Sequence, residues 1–467
     1  MIDRKNSYPK FAVVGHPNKG KSSIVSALAH DDSVQIGNTP GTTQVKRGFP
    51  LKVDGKIIYE LFDTPGFQRA RRILAWLEEH KPTSANKRAD TIREFIYNFR
   101  DDERFRDEIE LLEPIMNGAG IIYVVDASKP YGAEYEIEME ILRWTGQPSM
   151  AILNLIGDED YREDWSRALG QYFRLVRTFN PLKAKFKNHI ELLESIAQLK
   201  EDWTDSIKDA IEILNKFHNQ KIDRTVEIIK DTTIKSLSYT YKQKIKSKSA
   251  TKDEYRLASK QYRKELIKYE KKLEKDISEI WKHKNIERID TPPLINDVGL
   301  FSKESESIFG LSQKELILTG ASAGAISGAG VDLALSGGTF FLGTIIGGVV
   351  GGVGAMVGFD NLYNIKLLGQ KIGKRELIVG PMRSTNFPYI LLGRALYYAS
   401  TLANRSHAIR DSLKLDDREF YIEKIIDSSM RRKLERVHSK LREKKEVKEE
   451  LLKEYQEVIL ESFKKLI

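Results

Sequence analysis

The chain has 467 residues, 31% of them charged and 40% hydrophobic, with no cysteine and a formal net charge of +9. A chain this long exceeds one hydrophobic core, so two or three domains are expected, and the charged fraction argues against a polytopic membrane protein. The lack of cysteine excludes disulfides and thiolate-held zinc or iron–sulfur clusters, and it suits a reducing, cytoplasmic setting. Met1 to Lys10 has no apolar core of signal-peptide length.

Up to about residue 200, short apolar runs alternate with helical patterns: Phe11–Val14, Ile57–Phe62, Ile121–Val125 and Met150–Leu155. Runs of this length bounded by Gly, Pro, Asp or Asn predict buried strands of an α/β, mostly parallel sheet with flanking helices. After the first run comes Gly15-His16-Pro17-Asn18-Lys19-Gly20-Lys21-Ser22, which fits G-x-x-x-x-G-K-S. Glycines let such a loop turn its backbone N–H groups toward an anion, and a helix starting near Lys21 adds its positive end. Lys21 is then placed for β- and γ-phosphates, and the Ser22 hydroxyl is a hard ligand for Mg²⁺. Ser23 follows in the same turn and belongs to the phosphate-contacting set with His16, Pro17, Asn18, Lys19 and Gly20.

Asn38-Thr39-Pro40-Gly41-Thr42-Thr43-Gln44 reads as a flexible polar loop, and one of its threonines could complete Mg²⁺ coordination, Thr43 in preference to Thr42. The next strand runs into Asp63-Thr64-Pro65-Gly66. There Asp63 can hold Mg²⁺ through water, and the Gly66 N–H can sense the γ-phosphate. From Arg69 to Asn117 about fifty charged, helical residues are inserted, which reads equally as a partner-contact region or an inert elaboration.

These residues resemble the Era/TrmE branch of P-loop GTPases, whose pattern is G-x-P-N-x-G-K-S, G-T-T, then D-T-x-G and an apolar residue. Here they are Gly15 to Ser22, Gly41-Thr42-Thr43 and Asp63-Thr64-Pro65-Gly66-Phe67. The whole chain further resembles an uncharacterised bacterial family that joins an Era-like G domain to a C-terminal domain of unknown function. The resemblance implies GTP/GDP with Mg²⁺, and a potassium ion beside the phosphates held by Asn18. It also implies slow intrinsic turnover, because Phe67 stands where a water-positioning glutamine is found in Ras-like enzymes. The implied catalytic set is Lys21, Thr43, Gly66 and Asn18. One motif departs. The family's N-K-x-D is Asn154-Leu155-Ile156-Gly157 here, with Asp158 one residue late. Losing that carboxylate would weaken guanine preference by about 1.5–3 kcal/mol per charged hydrogen bond. Asn154 remains a nucleotide-site residue, and Phe179-Asn180 is a weak candidate for the last base-side loop.

From about 201 to 315 the chain is charged and reads as helical, with Tyr262, Leu266, Tyr269, Leu273, Ile277 and Ile280 forming one stripe. Between Tyr241 and Asp290 there are 16 Lys and Arg against 9 Asp and Glu, a surface that could meet RNA, a ribosome or a membrane, or simply a solvated face. Residues 316–359 carry one charge, Asp332, and thirteen glycines, with four-residue spacing in Gly320, Gly324 and Gly328 and in Gly343, Gly347 and Gly351. Two twenty-residue arms about Ser336-Gly337-Gly338 would form a helical hairpin of bilayer length, either contacting lipid at the inner membrane or packed in a soluble core. From 360 to 467 a strand-like Glu376–Val379, an aromatic helix Tyr389–Tyr398 and a charged helix with Met430, Leu434, Val437 and Leu441 follow. Long charged helices with narrow stripes pair with one another, so a bundle and a homo-oligomer through these helices are both open.

Overall fold

The computed structural model describes residues 8–17, 19–29, 47–53, 56–245, 250–281, 299–312, 363–369, 375–405 and 422–467. It divides into two compact units, the first essentially residues 1–218 and the second most of 219–467.

The first unit is a six-stranded sheet in the order β2-β3-β1-β4-β5-β6. The strands are β1 (Lys10–Val14), β2 (Arg47–Val53), β3 (Lys56–Asp63), β4 (Gly120–Asp126), β5 (Ser149–Asn154) and β6 (Leu175–Thr178). β2 is the antiparallel edge strand and the other neighbours run parallel. Both faces are covered, which is why the central strands read as continuous apolar runs rather than alternating ones. Phe11, Val13, Ile122 and Val124 point into one core, where α1 (Lys21–Ala29) and α7 (Phe186–Ala197) pack. Ala12, Val14, Ile121, Tyr123 and Val125 point into the other. That second face is covered by α2 (Ala70–Glu79), α3 (Arg88–Phe99), α4 (Arg106–Met116), α5 (Glu134–Trp144) and α6 (Arg162–Leu169). The inserted stretch thus supplies core residues, among them Ile73, Leu77, Ile92, Phe95 and Leu112.

α8 (Thr204–Ser238) contains the boundary between the units. The second unit then holds β7 (Tyr241–Ile245), α9 (Lys252–Trp281), α10 (Lys303–Phe309), β8 (Tyr363–Gly369), β9 (Arg375–Met382) and α11 (Phe387–Ala403). It ends with α12 (Ile422–Ile425), α13 (Ser428–Arg442) and α14 (Glu449–Lys464). Its three strands form an antiparallel sheet, β7-β9-β8, among the helices. The expectation of helix throughout 201–315 therefore fails at β7, whose Tyr-Lys-Gln-Lys-Ile alternation pairs with β9. α11 is buried on every side from Phe387 to Leu402. Its Arg394 is 3% exposed and donates from Nε to Glu270 at 2.5 Å and from Nη1 to the Ser305 hydroxyl at 3.2 Å. Of the α9 stripe, Tyr262, Leu266, Leu273 and Ile277 are buried, and Tyr269 and Ile280 are packed against that core from its margin. The glycine-rich stretch 316–359 lies outside the described residues, and among the described residues no helix is long and apolar enough to cross a membrane.

Candidate functional site

The carboxyl ends of β1 and β3 lie side by side, Val13 opposite Asp63, so the loops that follow them meet. Gly20 has φ +86°, and a Cβ there would collide with the Asn154 amide, so glycine is required for the turn into α1. Lys21 is buried and folded back, with Nζ donating to the carbonyl of Gly15 at 2.9 Å and of His16 at 3.2 Å. Burial lowers its ammonium pKa, while the carboxylates of Asp63 and Glu138 pull it back up. Beside it the Ser22 hydroxyl donates to Asp63 Oδ2 at 2.7 Å. Asp63 is 4% exposed; burial raises its pKa, opposed by the Ser22 bond and by Lys21.

Thr64 anchors the next turn by donating to the Val13 carbonyl at 2.8 Å. Gly66 sits so close to the phosphate loop that a Cβ would stand 2.8 Å from Pro17 Cδ and 2.9 Å from the Gly15 carbonyl oxygen. Phe67 is 3% exposed and packs in the core rather than facing the loop. Gln68 turns back, its amide 3.5 Å from the Gly66 carbonyl.

The residues fit a magnesium ion. Asp63 Oδ1 is buried and has no hydrogen-bond partner among the described residues, and Asp63 Oδ2 and the Ser22 hydroxyl supply adjacent hard oxygens. The Lys21 ammonium nearby suits the phosphate oxygens such an ion accompanies. Asn18, Thr42 and Thr43 lie outside the described residues, as does most of the loop that holds the threonines.

On the base side, Asn154 ends β5 at 3% exposure and its Nδ2 donates to the Lys19 carbonyl at 3.2 Å. The Gly157 N–H is taken by the Ser128 hydroxyl at 2.9 Å, which itself donates to Asp126 at 2.5 Å, and Asp158 is exposed. Asn180 joins this loop to the one after β6, donating to the Leu155 carbonyl at 2.8 Å and accepting from Leu182 N at 2.9 Å. Ile156 and Leu182 are left half exposed on the two loops.

Three further side chains escaped the sequence reading: Glu138, Tyr123 and Glu108. His16 Nδ1 pairs with Glu138 at 2.9 Å, and the other oxygen of that buried carboxylate accepts from the Tyr123 hydroxyl at 2.8 Å. The His16 ring also meets Tyr135 edge-on at 5.6 Å. The third is Glu108 on α4, fully buried, which accepts from Gln68 N at 3.0 Å and Arg69 N at 2.6 Å. Within the Glu-rich runs of α4 and α5 nothing in the sequence marks one glutamate as buried.

The family model described as 50S ribosome-binding GTPase matches residues 10–154, and the one described as domain of unknown function (DUF3482) matches residues 166–463. The N-terminal part is therefore a P-loop GTPase domain. GTPase Der of Agathobacter rectalis is 37% identical over 93 residues, which is 19% of this chain and 21% of that protein. GTPase Der of Pseudothermotoga lettingae is 44% identical over 69 residues, 15% of this chain and 16% of that one. The chain spans about a fifth of the length of the curated relatives it matches. Among solved structures, Era in complex with MgGDPNP and a 16S ribosomal RNA fragment aligns at 16% identity and TM-score 0.30, covering 56% of this chain and 88% of that one.

Proposed function

The chain belongs to the family described as domain of unknown function (DUF3482), and from that premise we propose that it is a GTP-binding, GTP-hydrolysing switch. The observation that carries this reading is the meeting of Lys21, Ser22, Asp63 and Gly66 at the ends of two neighbouring strands. In the switch, Lys21 leaves the Gly15 and His16 carbonyls to neutralise β- and γ-phosphate oxygens, while backbone N–H groups of His16 to Ser23 cradle the anion. Ser22 and Thr43 would ligate Mg²⁺ and Asp63 would hold it through water, and the bound ion would offset the charge gathering on the phosphates. Gly66 donates its N–H to the γ-phosphate and moves when that group departs.

No side chain at position 67 orients water, so intrinsic turnover is slow. Asn18 would hold a potassium ion, whose positive charge beside the phosphates would raise it. Hydrolysis equally fast in sodium and potassium would remove the Asn18 part alone. Guanine is read by the two base-side loops, with Asp158 too exposed to lend the specificity of a fixed carboxylate, so inosine and xanthine triphosphates compete measurably with GTP.

Lys21→Ala and Asp63→Asn test the core of the reading in the full chain, by fluorescent-nucleotide titration and phosphate release. K21A should lose GTP affinity by about a hundredfold or more, and D63N should lose the response to Mg²⁺. Wild-type protein that binds neither GTP nor GDP at millimolar nucleotide would sink it.

For the partner, the favoured output is a lipid surface reached through 316–359. The second output is RNA or a ribosome. The family description of residues 10–154 and the exposed Lys242 and Lys244 of β7 support it. Liposome flotation that fails, beside ribosomal RNA binding that weakens steeply with salt, would place the second first.

A further inference from the structure

We infer that Glu108 is a positioning residue for the segment Asp63 to Arg69, the second switch of the nucleotide site, and that through it the helical insertion is mechanically tied to the state of the nucleotide. The inference rests on the reading of the first unit as a nucleotide switch.

α2 begins at Ala70, with three residues between it and the turn Asp63-Thr64-Pro65-Gly66, yet it lacks the means to start itself. Its N-cap residue, Arg69, makes no side-chain cap, and its first turn holds no acid. The missing acceptor comes from α4. One oxygen of Glu108 takes the N–H of both Gln68 and Arg69. These are bonds from backbone N–H groups to a carboxylate at a helix start, where a negative charge is favoured. The side chain is fully buried, and its other oxygen, also buried, has no hydrogen-bond partner among the described residues. A carboxylate is a costly group to place there for packing alone, since an apolar side chain would fill the same space without an unsatisfied oxygen.

The placement accounts for the cost. Gly66 is packed against Pro17 and the Gly15 carbonyl at one end of this short segment, and Glu108 grips Gln68 and Arg69 at the other. One residue, Phe67, separates the γ-phosphate sensor Gly66 from the clamp at Gln68. A displacement of Gly66 is therefore passed, through one intervening residue, to the N–H groups that Glu108 holds. α4 is itself embedded through Ile109, Leu111, Leu112 and Ile115 in the core it shares with α2 and α3. The clamp therefore does two things. It fixes the second switch in the geometry that hydrolysis needs, and it passes the change of state to the insertion.

The test uses the full chain with Glu108→Ala, Glu108→Gln and, as a control on α4, Glu110→Gln, whose half-buried side chain pairs with Arg106 instead of the Gln68 and Arg69 N–H groups. Fluorescent GDP affinity, single-turnover GTP hydrolysis and amide exchange over residues 66–73 are measured with GDP and with a non-hydrolysable GTP analogue. E108A should slow hydrolysis about tenfold or more while GDP affinity stays within about threefold. It should also abolish the difference in exchange at residues 68 and 69 between the two nucleotides. E108Q keeps an acceptor without the charge and should fall between E108A and wild type, so it serves if E108A does not fold; E110Q should behave as wild type. Hydrolysis within twofold of wild type in both Glu108 variants overturns the inference. So does a parallel loss of melting temperature, GDP affinity and rate with the nucleotide-dependent exchange intact, which would make Glu108 a helix cap alone. Wild-type protein that binds no guanine nucleotide fails the switch reading itself, and this inference with it. Failure of the inference alone appears with wild-type binding intact.

Discussion

Asn154 carries the phosphate loop on its side chain, because the Lys19 carbonyl has Asn154 Nδ2 as its partner inside the protein. Asn154→Ala would leave that buried carbonyl unsatisfied, at a cost of about 1–3 kcal/mol. GDP should then dissociate about tenfold faster, as read by displacement of a fluorescent analogue. Asn154→Asp should be worse than Ala, since it sets a carboxylate against a carbonyl oxygen. In the second unit, His438 is completely buried, sharing a 3.0 Å hydrogen bond with the Tyr455 hydroxyl. Its Nδ1 is 3.7 Å from Glu435 Oε2, too far for a hydrogen bond. Burial holds its pKa below the ordinary 6.5, against the pull of Glu435. The unfolded chain thus takes up a proton that the native state refuses, and stability falls as pH drops below 6.5 until the native imidazole titrates in turn. Chemical denaturation from pH 8 to pH 5 should show wild type losing stability relative to His438→Gln over that window. Parallel curves would mean that His438 does not titrate there. The chemistry of the phosphate site was legible because it depends on residues adjacent in sequence, Gly15 to Ser22 and Asp63 to Gly66. Glu108 and Glu138 were not, because each acts on a segment between 39 and 122 residues away and sits in an ordinary acidic run.

At the level of elements, burial on both faces made β1, β3, β4 and β5 readable as apolar runs. β2 contains Pro50 and pairs only at the antiparallel edge, and β6 is four residues long and half exposed, so neither has an apolar run to show. β7 and β8 belong to a sheet whose pairing is set by distant partners, β9 above all. Helical stripes fared better. α13 keeps Met430, Leu434, Val437 and Leu441 buried at steps of three and four, with Asp427 capping its start through Ser429 N at 2.8 Å and Met430 N at 3.0 Å. Leu434 is fully buried in that stripe. Leu434→Ala should cost about 2–5 kcal/mol by the methyl groups removed and the cavity left, measured as a lowered midpoint of the second unit's unfolding. A loss below about 1 kcal/mol would mean that α13 can collapse onto the gap.

For the whole molecule, two units with separate apolar cores imply two cooperative transitions rather than one. Only the first unit contains the phosphate site. GDP at a hundred times its dissociation constant should stabilise it by about 2.7 kcal/mol, moving one calorimetric peak and leaving the other in place. If both peaks moved together, the units would be unfolding as one. α11 carries a different consequence. From Phe387 to Leu402 it is buried on all sides, and part of its jacket comes from α13 and α14, whose Met430, Leu434, Tyr455 and Phe463 lie in the same core. On a translating ribosome, that apolar rod is finished roughly 60 residues before the last of its cover, which at about 5–20 residues per second is several seconds. During that interval the nascent chain displays a hydrophobic helix with one flank uncovered, and for those seconds that flank depends on a chaperone or on the walls of the exit tunnel.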